Sequence, residues 1–523
     1  GSARTVAHNL GSVPGMIMVK VTSTSDSWAL YHRGSNGGTD PEDYMLRLNT
    51  TDAQANNADY WNDTAPTNSV FTVGTDPGVN GDGDSYVAYL FAHHDDDGGF
   101  GEPGDQDIIK CDSYTGNGND TGPTIDLGFE PQWLIVKAAT SLQANRAQYY
   151  NWMMVDNMRG LPARVDGSSS YALAANLSTE ENGSNIDGNS TVQPTPTGFT
   201  INQANFQYNE NGVTYIYMAI RRGGMQTPTA ASSVFSIDTI GSGAPYFDSN
   251  HIVDMALVKS AGASGDWYNY ARLMGEKYLA TNTTAAEAAA SEAGFDFMNG
   301  HIDSNWGGTN AHSWMWKRAR GYFDVATYTG TGSDRTVTHN LGVAPEMIWV
   351  KRRNNTSGWG VYHSGVGNDK GSKLNTTDAF GSEDYWNSTD PTASVFTLGG
   401  GFNDSNVPYI AYLFATAAGV SKLGTYTANG NAQNIDCGFS GGNGARFVLI
   451  KRTDAASHWF QFDTSRGFVT GDDFNLQLNE TNAQESGYDH IDPLEAGFTV
   501  AAYGDDSPYV NINGATYIFY AIA

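Results

Sequence analysis

The chain has 523 residues, of which 28 are lysine or arginine and 56 are aspartate or glutamate, so its net charge is −28. A surface this acidic repels polyanions, which argues against a nucleic-acid-binding protein. No run of eighteen apolar residues occurs, so we expect no membrane span. Aromatic residues make up 12% of the chain and glycines number 61, while helical patterns are almost absent apart from 285–293. This composition predicts an all-β fold.

A short apolar strand that ends in lysine recurs along the chain, and a tryptophan follows each copy. Such a run of β-branched and large apolar residues predicts a buried strand, and the tryptophan opens the next strand of a hairpin. The five strands are residues 16–20, 133–137, 255–259, 347–351 and 447–451, and the five tryptophans are Trp28, Trp152, Trp267, Trp359 and Trp459. We expect the lysine of each strand to lie in water. We interpret Trp359 and Trp459 as core rings, the alternative being that they are exposed and bind a ligand.

The rest of each repeat surrounds this hairpin. A Leu-Asn-Thr-Thr box follows at 48–51 and 374–377, with variants at 281–284 and 478–481, and an aromatic strand closes each unit. Each unit spans roughly 90 to 115 residues, the size of a β-sandwich domain. The sequence therefore predicts a tandem array of about five antiparallel, jelly-roll-like β-sandwich modules that are coupled mainly to their neighbours.

The predicted modules follow the order A, B, C, A, B. Module A1 lacks the first strand that the other modules have, and we therefore expect the chain to be a piece of a longer polypeptide. The boundaries are 1–94 for module A1, 95–107 for an acidic glycine-rich linker, 108–222 for module B1, 223–231 for a second linker, 232–321 for module C, 322–416 for module A2 and 417–523 for module B2.

Two stretches could bind a metal ion, but each has a simpler interpretation. Residues 80–84 have the acidic density of a calcium loop, yet they lack the EF-hand spacing and fit a turn between strands. His93 and His94 are consecutive, so on a strand their rings would face opposite sides. We therefore predict no metal site and no cofactor. Cys111 and Cys437 occupy apolar positions of the repeat and are predicted to be free and buried.

Trp61, Asn62, Trp386 and Asn387 are candidate ligand-binding residues, because an aromatic ring beside an amide can grip a sugar. The alternative is that each tryptophan caps the edge of its sandwich. No nucleophile, zinc-protease or phosphate-binding motif is present, so we predict no catalytic residues and no enzyme. A carboxylate pair of the glycosidase type stays open, because sequence spacing does not fix distance in space.

Several strings resemble a repeat domain of unknown function that is common in structural and tail proteins of marine bacteriophages, including cyanophages. They are "YTGTGSDRTVTHNLGVAPEMIWVKRR" at 328–353, "LNTT" at 374–377, "YWN" at 385–387, "SVFTLG" at 394–399 and "YIAYLFAT" at 409–416, with "LGFEPQWLIVK" at 127–137 and "GARFVLIKRTD" at 444–454 in the B modules. The resemblance implies a virion structural protein, in a tail fibre or another appendage that contacts the host.

The partners expected from this resemblance are other virion proteins, further copies of the chain in a homo-oligomer, with a trimer favoured, and a glycan or protein of the host surface. Two alternatives stay open, namely a tailspike that depolymerises host polysaccharide and a decoration or fibre on the capsid head. The expected location is the virion exterior.

Overall fold

The computed structural model describes residues 1–99, 106–140, 149–158, 161, 172–181, 192–290, 293–295, 297–303, 306, 310–440, 444–504 and 509–523. Within these residues almost all regular structure is antiparallel β-sheet, so the all-β prediction of sandwich-like modules is confirmed. The chain forms two compact units, Gly1–Gly224 and Met225–Ala523, called unit 1 and unit 2 below.

In module A1 of unit 1, a large sheet faces a two-stranded sheet. The strands are β1 (Arg4–Ala7), β2 (Pro14–Val21), β3 (Ala29–His32), β4 (Tyr44–Arg47), β5 (Ala55–Asn56), β6 (Val70–Val73) and β7 (Tyr86–Ala92). The large sheet has the order β5-β4-β3-β2-β7, and β1 pairs with β6. Short 3-10 helices cover Ser35–Gly38 and Pro41–Asp43, and α1 (Ala58–Trp61) and α2 (Pro77–Asn80) are single helical turns.

Module B1 of unit 1 repeats the plan with a three-stranded second sheet. Its strands are β8 (Ile109–Thr115), β9 (Thr124–Asp126), β10 (Pro131–Ala138), β11 (Met153–Asp156), β12 (Leu173–Ala174), β13 (Val192–Thr195), β14 (Gly198–Ile201) and β15 (Thr214–Arg221). The sheet orders are β12-β11-β10-β15-β8 and β13-β14-β9.

Unit 2 contains modules C, A2 and B2. Module C has β16 (Phe235–Thr239), β17 (Phe247–Asp248), β18 (Met255–Ser260), β19 (Tyr268–Ala271), β20 (Lys277–Ala280), β21 (Ala288–Ala289), β22 (Ala293–Gly294), β23 (Gly300–Asp303) and β24 (Ala311–Trp316), with 3-10 helices at Ala231–Ser233 and Arg272–Met274. Its sheet orders are β16-β24-β18-β19-β20-β21 and β17-β23-β22.

Modules A2 and B2 follow with the same arrangement. Module A2 has β25 (Phe323–Thr329), β26 (Arg335–Thr338), β27 (Met347–Arg352), β28 (Trp359–His363), β29 (Lys370–Lys373), β30 (Gly381–Ser382), β31 (Val395–Leu398) and β32 (Pro408–Phe414). Module B2 has β33 (Ser421–Thr427), β34 (Gln433–Asp436), β35 (Phe447–Arg452), β36 (Trp459–Asp463), β37 (Asp473–Gln477), β38 (Glu485–Tyr488), β39 (Ile491–Leu494), β40 (Gly497–Val500) and β41 (Thr516–Ile522). The large sheets are β25-β32-β27-β28-β29-β30 and β33-β41-β35-β36-β37-β38.

The five lysine-terminated strands are β2, β10, β18, β27 and β35, each in a different large sheet and each paired on both sides. That part of the prediction is confirmed. These strands are apolar at successive positions because both of their faces are covered. In β27, Ile348 and Val350 face the core of their own module, while Met347 and Trp349 face a second core that is shared with other modules.

Two further predictions have a clear outcome. Cys111 and Cys437 are both free and buried, as expected. The helical turn predicted within 285–293 is wrong for the described residues, because Ala288–Ala289 form β21 and pair with β20. Among the described residues, no helix is long and apolar enough to cross a membrane.

Candidate functional site: lysine and tryptophan contacts between modules

The lysines at the strand ends are the main departure from the sequence-based expectation. The prediction that they lie in water is wrong for Lys137, Lys259, Lys351 and Lys451, whose exposed fraction is 0%. Only Lys20 is partly exposed. The strand end is not a solvent-facing edge, because a loop of the neighbouring module covers it.

Each buried ammonium donates a hydrogen bond to a backbone carbonyl of another module in the same unit. The acceptor is always the last threonine of a Leu-Asn-Thr-Thr box or of its variant. The four pairs are Lys137 Nζ to Thr51 O at 3.1 Å, Lys259 Nζ to Thr481 O at 3.0 Å, Lys351 Nζ to Thr284 O at 3.3 Å and Lys451 Nζ to Thr377 O at 2.9 Å. These carbonyl oxygens take the place of water around the ammonium group and offset part of the cost of burying its charge.

The tryptophan of the same module makes a second contact with the same loop. Its indole N–H donates to the carbonyl that lies four residues before that threonine. The pairs are Trp152 Nε1 to Arg47 O at 2.9 Å, Trp267 Nε1 to Gln477 O at 3.0 Å, Trp359 Nε1 to Ala280 O at 2.9 Å and Trp459 Nε1 to Lys373 O at 3.3 Å. The indole is therefore both a core ring and a specific link between modules.

A backbone hydrogen bond completes each contact. The amide three residues after the threonine donates to the carbonyl two residues after the lysine. The pairs are Gln54 N to Ala139 O at 2.8 Å, Glu287 N to Arg353 O at 2.8 Å, Phe380 N to Thr453 O at 3.0 Å and Gln484 N to Ala261 O at 2.9 Å. Lysine, indole and amide thus give the same three-part contact at four module interfaces.

Three of these interfaces close a ring in unit 2. Module A2 contacts the loop of C, module B2 contacts the loop of A2, and module C contacts the loop of B2. One hydrophobic core contains residues of all three modules. Within this core the ring of Phe414 lies 5.2 Å from that of Tyr520, whose hydroxyl accepts the Trp316 indole N–H at 3.3 Å. Unit 2 is therefore a pseudo-threefold assembly formed within one polypeptide.

Charged groups are also buried at these interfaces. Arg353 of module A2 pairs with Glu287 of module C at 2.7 Å, with side chains 0% and 4% exposed. Asp463 of module B2 accepts the Trp314 indole N–H from module C at 3.0 Å and pairs with Arg466. Removing one partner of such a buried pair would leave an uncompensated charge away from water.

Burial lowers the pKa of the interface lysines. Loss of water disfavours the charged ammonium, which lowers the pKa of Lys137 to about 7 and that of Lys259, Lys351 and Lys451 to about 8. Nearby carboxylates oppose this effect, such as Asp52 for Lys137 and Asp378 for Lys451. The folded state therefore holds these protons less tightly than the unfolded chain does.

The candidate sugar-binding tryptophans lie elsewhere. Trp61 and Trp386 are 2% and 1% exposed and pack inside modules A1 and A2, so neither ring presents a face to solvent. The alternative placed each tryptophan at the edge of its sandwich, whereas both rings lie within the hydrophobic core of their module. Asn62 and Asn387 follow them with left-handed backbone, at φ 54° and 49°. Ligand binding at these four residues stays a prediction.

The two candidate metal stretches have structural roles in the described residues. The His93 ring accepts a hydrogen bond from Cys111 N at 3.2 Å, and the His94 ring accepts one from Ile108 N at 3.3 Å. Within 80–84, Asp84 accepts a hydrogen bond from the Ser23 hydroxyl at 2.7 Å. Where the structure is described, no three His, Cys, Asp or Glu side chains are grouped as a metal site would require.

Fold and contacts together define a class of protein, in which tandem β-sandwich modules are joined into larger units by buried lysine and tryptophan donors. The chain belongs to the family described as a domain of unknown function, DUF7483, whose model matches residues 1–222 and 254–523. None of the curated proteins and none of the solved structures that were compared matches the chain.

Proposed function

We propose that the protein is a structural and adhesive component of a bacteriophage virion, in a tail fibre or another external appendage that contacts the host. The observation that carries the proposal is the repeated contact between modules. Its lysine, indole and amide donors are all satisfied by backbone carbonyls of a neighbouring module, so this recurring chemistry holds an architecture in place. The phage origin rests on the resemblance of the sequence strings.

A rigid unit of several modules suits an appendage that must transmit force and present loops at a distance. The shared core of unit 2 gives such a unit without a partner chain. Several weak contacts with a host surface would then add up through avidity, which is the reason to expect several copies in the virion, with a trimer favoured.

The proposed ligand is a glycan of the host surface. Because the chain carries a net charge of −28, an acidic glycan would bind through bridging divalent cations, and a chelator should weaken that binding. The assay mixes the full chain with host envelope polysaccharide, with and without chelator, and measures both bound glycan and new reducing ends. Release of new reducing ends would contradict a purely adhesive role and support the depolymerase alternative.

The location needs a separate experiment. Virions of the phage that encodes the chain are purified on a density gradient and labelled with antibody and gold for electron microscopy. Label at the tail or an external appendage supports the proposal. Label on the head alone supports the capsid-decoration alternative, and absence of the chain from purified particles contradicts a virion role.

A further inference from the structure

Unit 1 repeats the ring contacts of unit 2 with one side open. Module B1 contacts the loop of A1 through Lys137 and Trp152, as B2 contacts A2 through Lys451 and Trp459. We propose that unit 1 is two thirds of a three-module ring, and that its open side binds a third module of the C type. In unit 2, module A2 contacts the loop of C, and C contacts the loop of B2, so the module that would fit between A1 and B1 is of the C type.

The donors on module A1 are in position but lack the neighbour. Lys20 Nζ donates to Asp26 O at 2.6 Å, as Lys259 does to Gly265 O and Lys451 to Ser457 O in their own modules. Those two lysines also reach a carbonyl of another module, whereas Lys20 is half-buried and its hydrogen bond to Asp26 O lies within A1. Within the described residues, the half-buried Trp28 has no hydrogen-bond partner for its indole N–H.

The apolar face of A1 beside these donors is only partly covered, because Met18 is half-buried against the core shared with module B1. Met18 pairs with Tyr89 across β2 and β7, in the register that joins Leu257 to Trp314 and Trp349 to Tyr412 in unit 2. Those four unit 2 residues are at most 1% exposed, whereas Tyr89 is 47% exposed. A third module seated as C is in unit 2 would cover this face.

Module B1 presents the complementary loop. Asn176 Oδ1 accepts the Trp152 backbone N–H at 2.9 Å, just as Asn375 Oδ1 accepts that of Trp359. By this alignment Ala174 and Ser178 of B1 match Lys373 and Thr377 of A2, the carbonyls that receive the neighbour's indole and ammonium. Ser178 is exposed, so the loop is accessible to an incoming lysine and tryptophan.

The outer edge of the A1 sheet supports the same occupant. In module A2, β32 pairs with β25, the strand that links module C to the rest of A2. Its counterpart β7 pairs with β2 alone among the described strands, and none of its residues is fully buried. A C-type module followed by a strand like β25 would fill both the open side and this edge.

The test extends the full chain rather than dividing it. A second copy of residues 225–331 is placed directly before Gly1, since Gly1-Ser2 then takes the place of Gly332-Ser333 ahead of the shared Arg-Thr-Val strand. Both chains are treated with a lysine-acetylating reagent and digested for mass spectrometry. In the original chain the half-buried Lys20 should be acetylated faster than the fully buried Lys351. In the extended chain its acetylation should fall to the level of Lys351 in the same digest.

A matched control carries Lys259→Glu and Trp267→Ala in the added copy alone, and it should restore acetylation of Lys20. If Lys20 stays reactive, limited proteolysis separates misfolding from failure to dock, because an unfolded added copy is trimmed back to the size of the original chain whereas a folded but undocked copy resists the protease. Equal acetylation of Lys20 in both chains, with the added copy folded, overturns the proposal. Concentration-dependent protection of Lys20 in the original chain, with dimers in mass photometry, would assign the face to a second copy instead.

Discussion

Trp359 donates its indole N–H to the backbone carbonyl of Ala280 at 2.9 Å, although 79 residues separate the two along the chain. The bond joins module A2 to module C, and the ring lies in the core shared by all three modules of unit 2. A residue that sequence analysis assigns to one sandwich therefore stabilises the assembly of three.

Replacing Trp359 by alanine should lower the free energy of unfolding of unit 2 by about 3 to 5 kcal/mol, because a buried ring and an interface hydrogen bond are lost together. Trp28 holds the same place in the repeat but is half-buried, so Trp28→Ala should cost only about 1 kcal/mol. Denaturant unfolding of both variants measures the difference. Equal losses would contradict the assignment of Trp359 to a shared core.

The same core changes the expected cooperativity. The repeat pattern predicted modules that are coupled mainly to their neighbours and unfold in separate transitions. A core drawn from C, A2 and B2 should instead make residues 225–523 unfold in one transition. Calorimetry of the Trp359→Ala chain should show that whole transition shifted. A shift confined to about a third of the unit 2 enthalpy would restore the independent-module interpretation.

The pKa of Lys351 leads to a prediction about pH. Burial lowers the pKa of Lys351 to about 8, whereas the pKa of a lysine in the unfolded chain is about 10.4. Between these two pH values the unfolded state therefore binds more protons than the folded state. Stability from this group therefore rises with pH, by at most about 1.4 kcal/mol per pH unit. Below about pH 8 both states are protonated and this dependence disappears.

Lys351→Met removes that dependence while the Thr284 carbonyl keeps its bond from Ser357 N at 2.9 Å. Relative to wild type, the variant should be most stable below pH 8 and should lose this advantage as pH rises toward 10. Unfolding midpoints at several pH values measure it. Lys370→Met, at an exposed lysine of the same module, reports the effect of charge removal alone. If the unfolding midpoints of wild type and Lys351→Met change with pH in the same way, the lowered pKa of a buried Lys351 is contradicted.

The strands were predictable because their signal is local. A run such as Met347 to Val350 is apolar at every position, which identifies a strand covered on both faces. The sequence does not say what covers the second face, so the cover was assumed to belong to the same module. For the same reason Lys351 was assigned to water, although a loop of module C encloses it.

The interface loops carried a signal whose meaning depends on the neighbour. The Leu-Asn-Thr-Thr box recurs, and its asparagine closes a turn within its own module, as Asn375 does with the Trp359 backbone N–H. The carbonyl of its last threonine accepts a hydrogen bond from a lysine of another module, and no local sequence pattern indicates this contact. At 285–290 a similar conflict arises, because alanine favours helix while Glu287 N donates to Arg353 O and holds the segment extended.

The buried pair of Arg353 and Glu287 predicts strong coupling between modules A2 and C. Arg353→Met should cost about 3 to 5 kcal/mol, because it leaves the Glu287 carboxylate buried without its cation. The double variant with Glu287→Leu should recover most of that loss, since the uncompensated charge is gone. Arg452→Met is the control, because Arg452 pairs with a half-exposed Asp454 and should cost under about 1 kcal/mol. Additive losses at Arg353 and Glu287 would exclude the coupling.

The last prediction separates the core role of Trp386 from sugar binding. The ring is 1% exposed and lies 5.6 Å from that of Tyr362, so Trp386→Ala should destabilise the chain by about 3 to 5 kcal/mol. We expect the remaining folded protein to bind host glycan as wild type does, because no face of this ring reaches solvent. Asn387→Gly tests the amide by itself, since glycine accepts the left-handed backbone at φ 49° without strain. Glycan binding and unfolding are measured on both variants. Loss of binding in Asn387→Gly at unchanged stability would keep the amide as a ligand-binding group, whereas an unchanged unfolding midpoint in Trp386→Ala would mean that the ring is not part of the core.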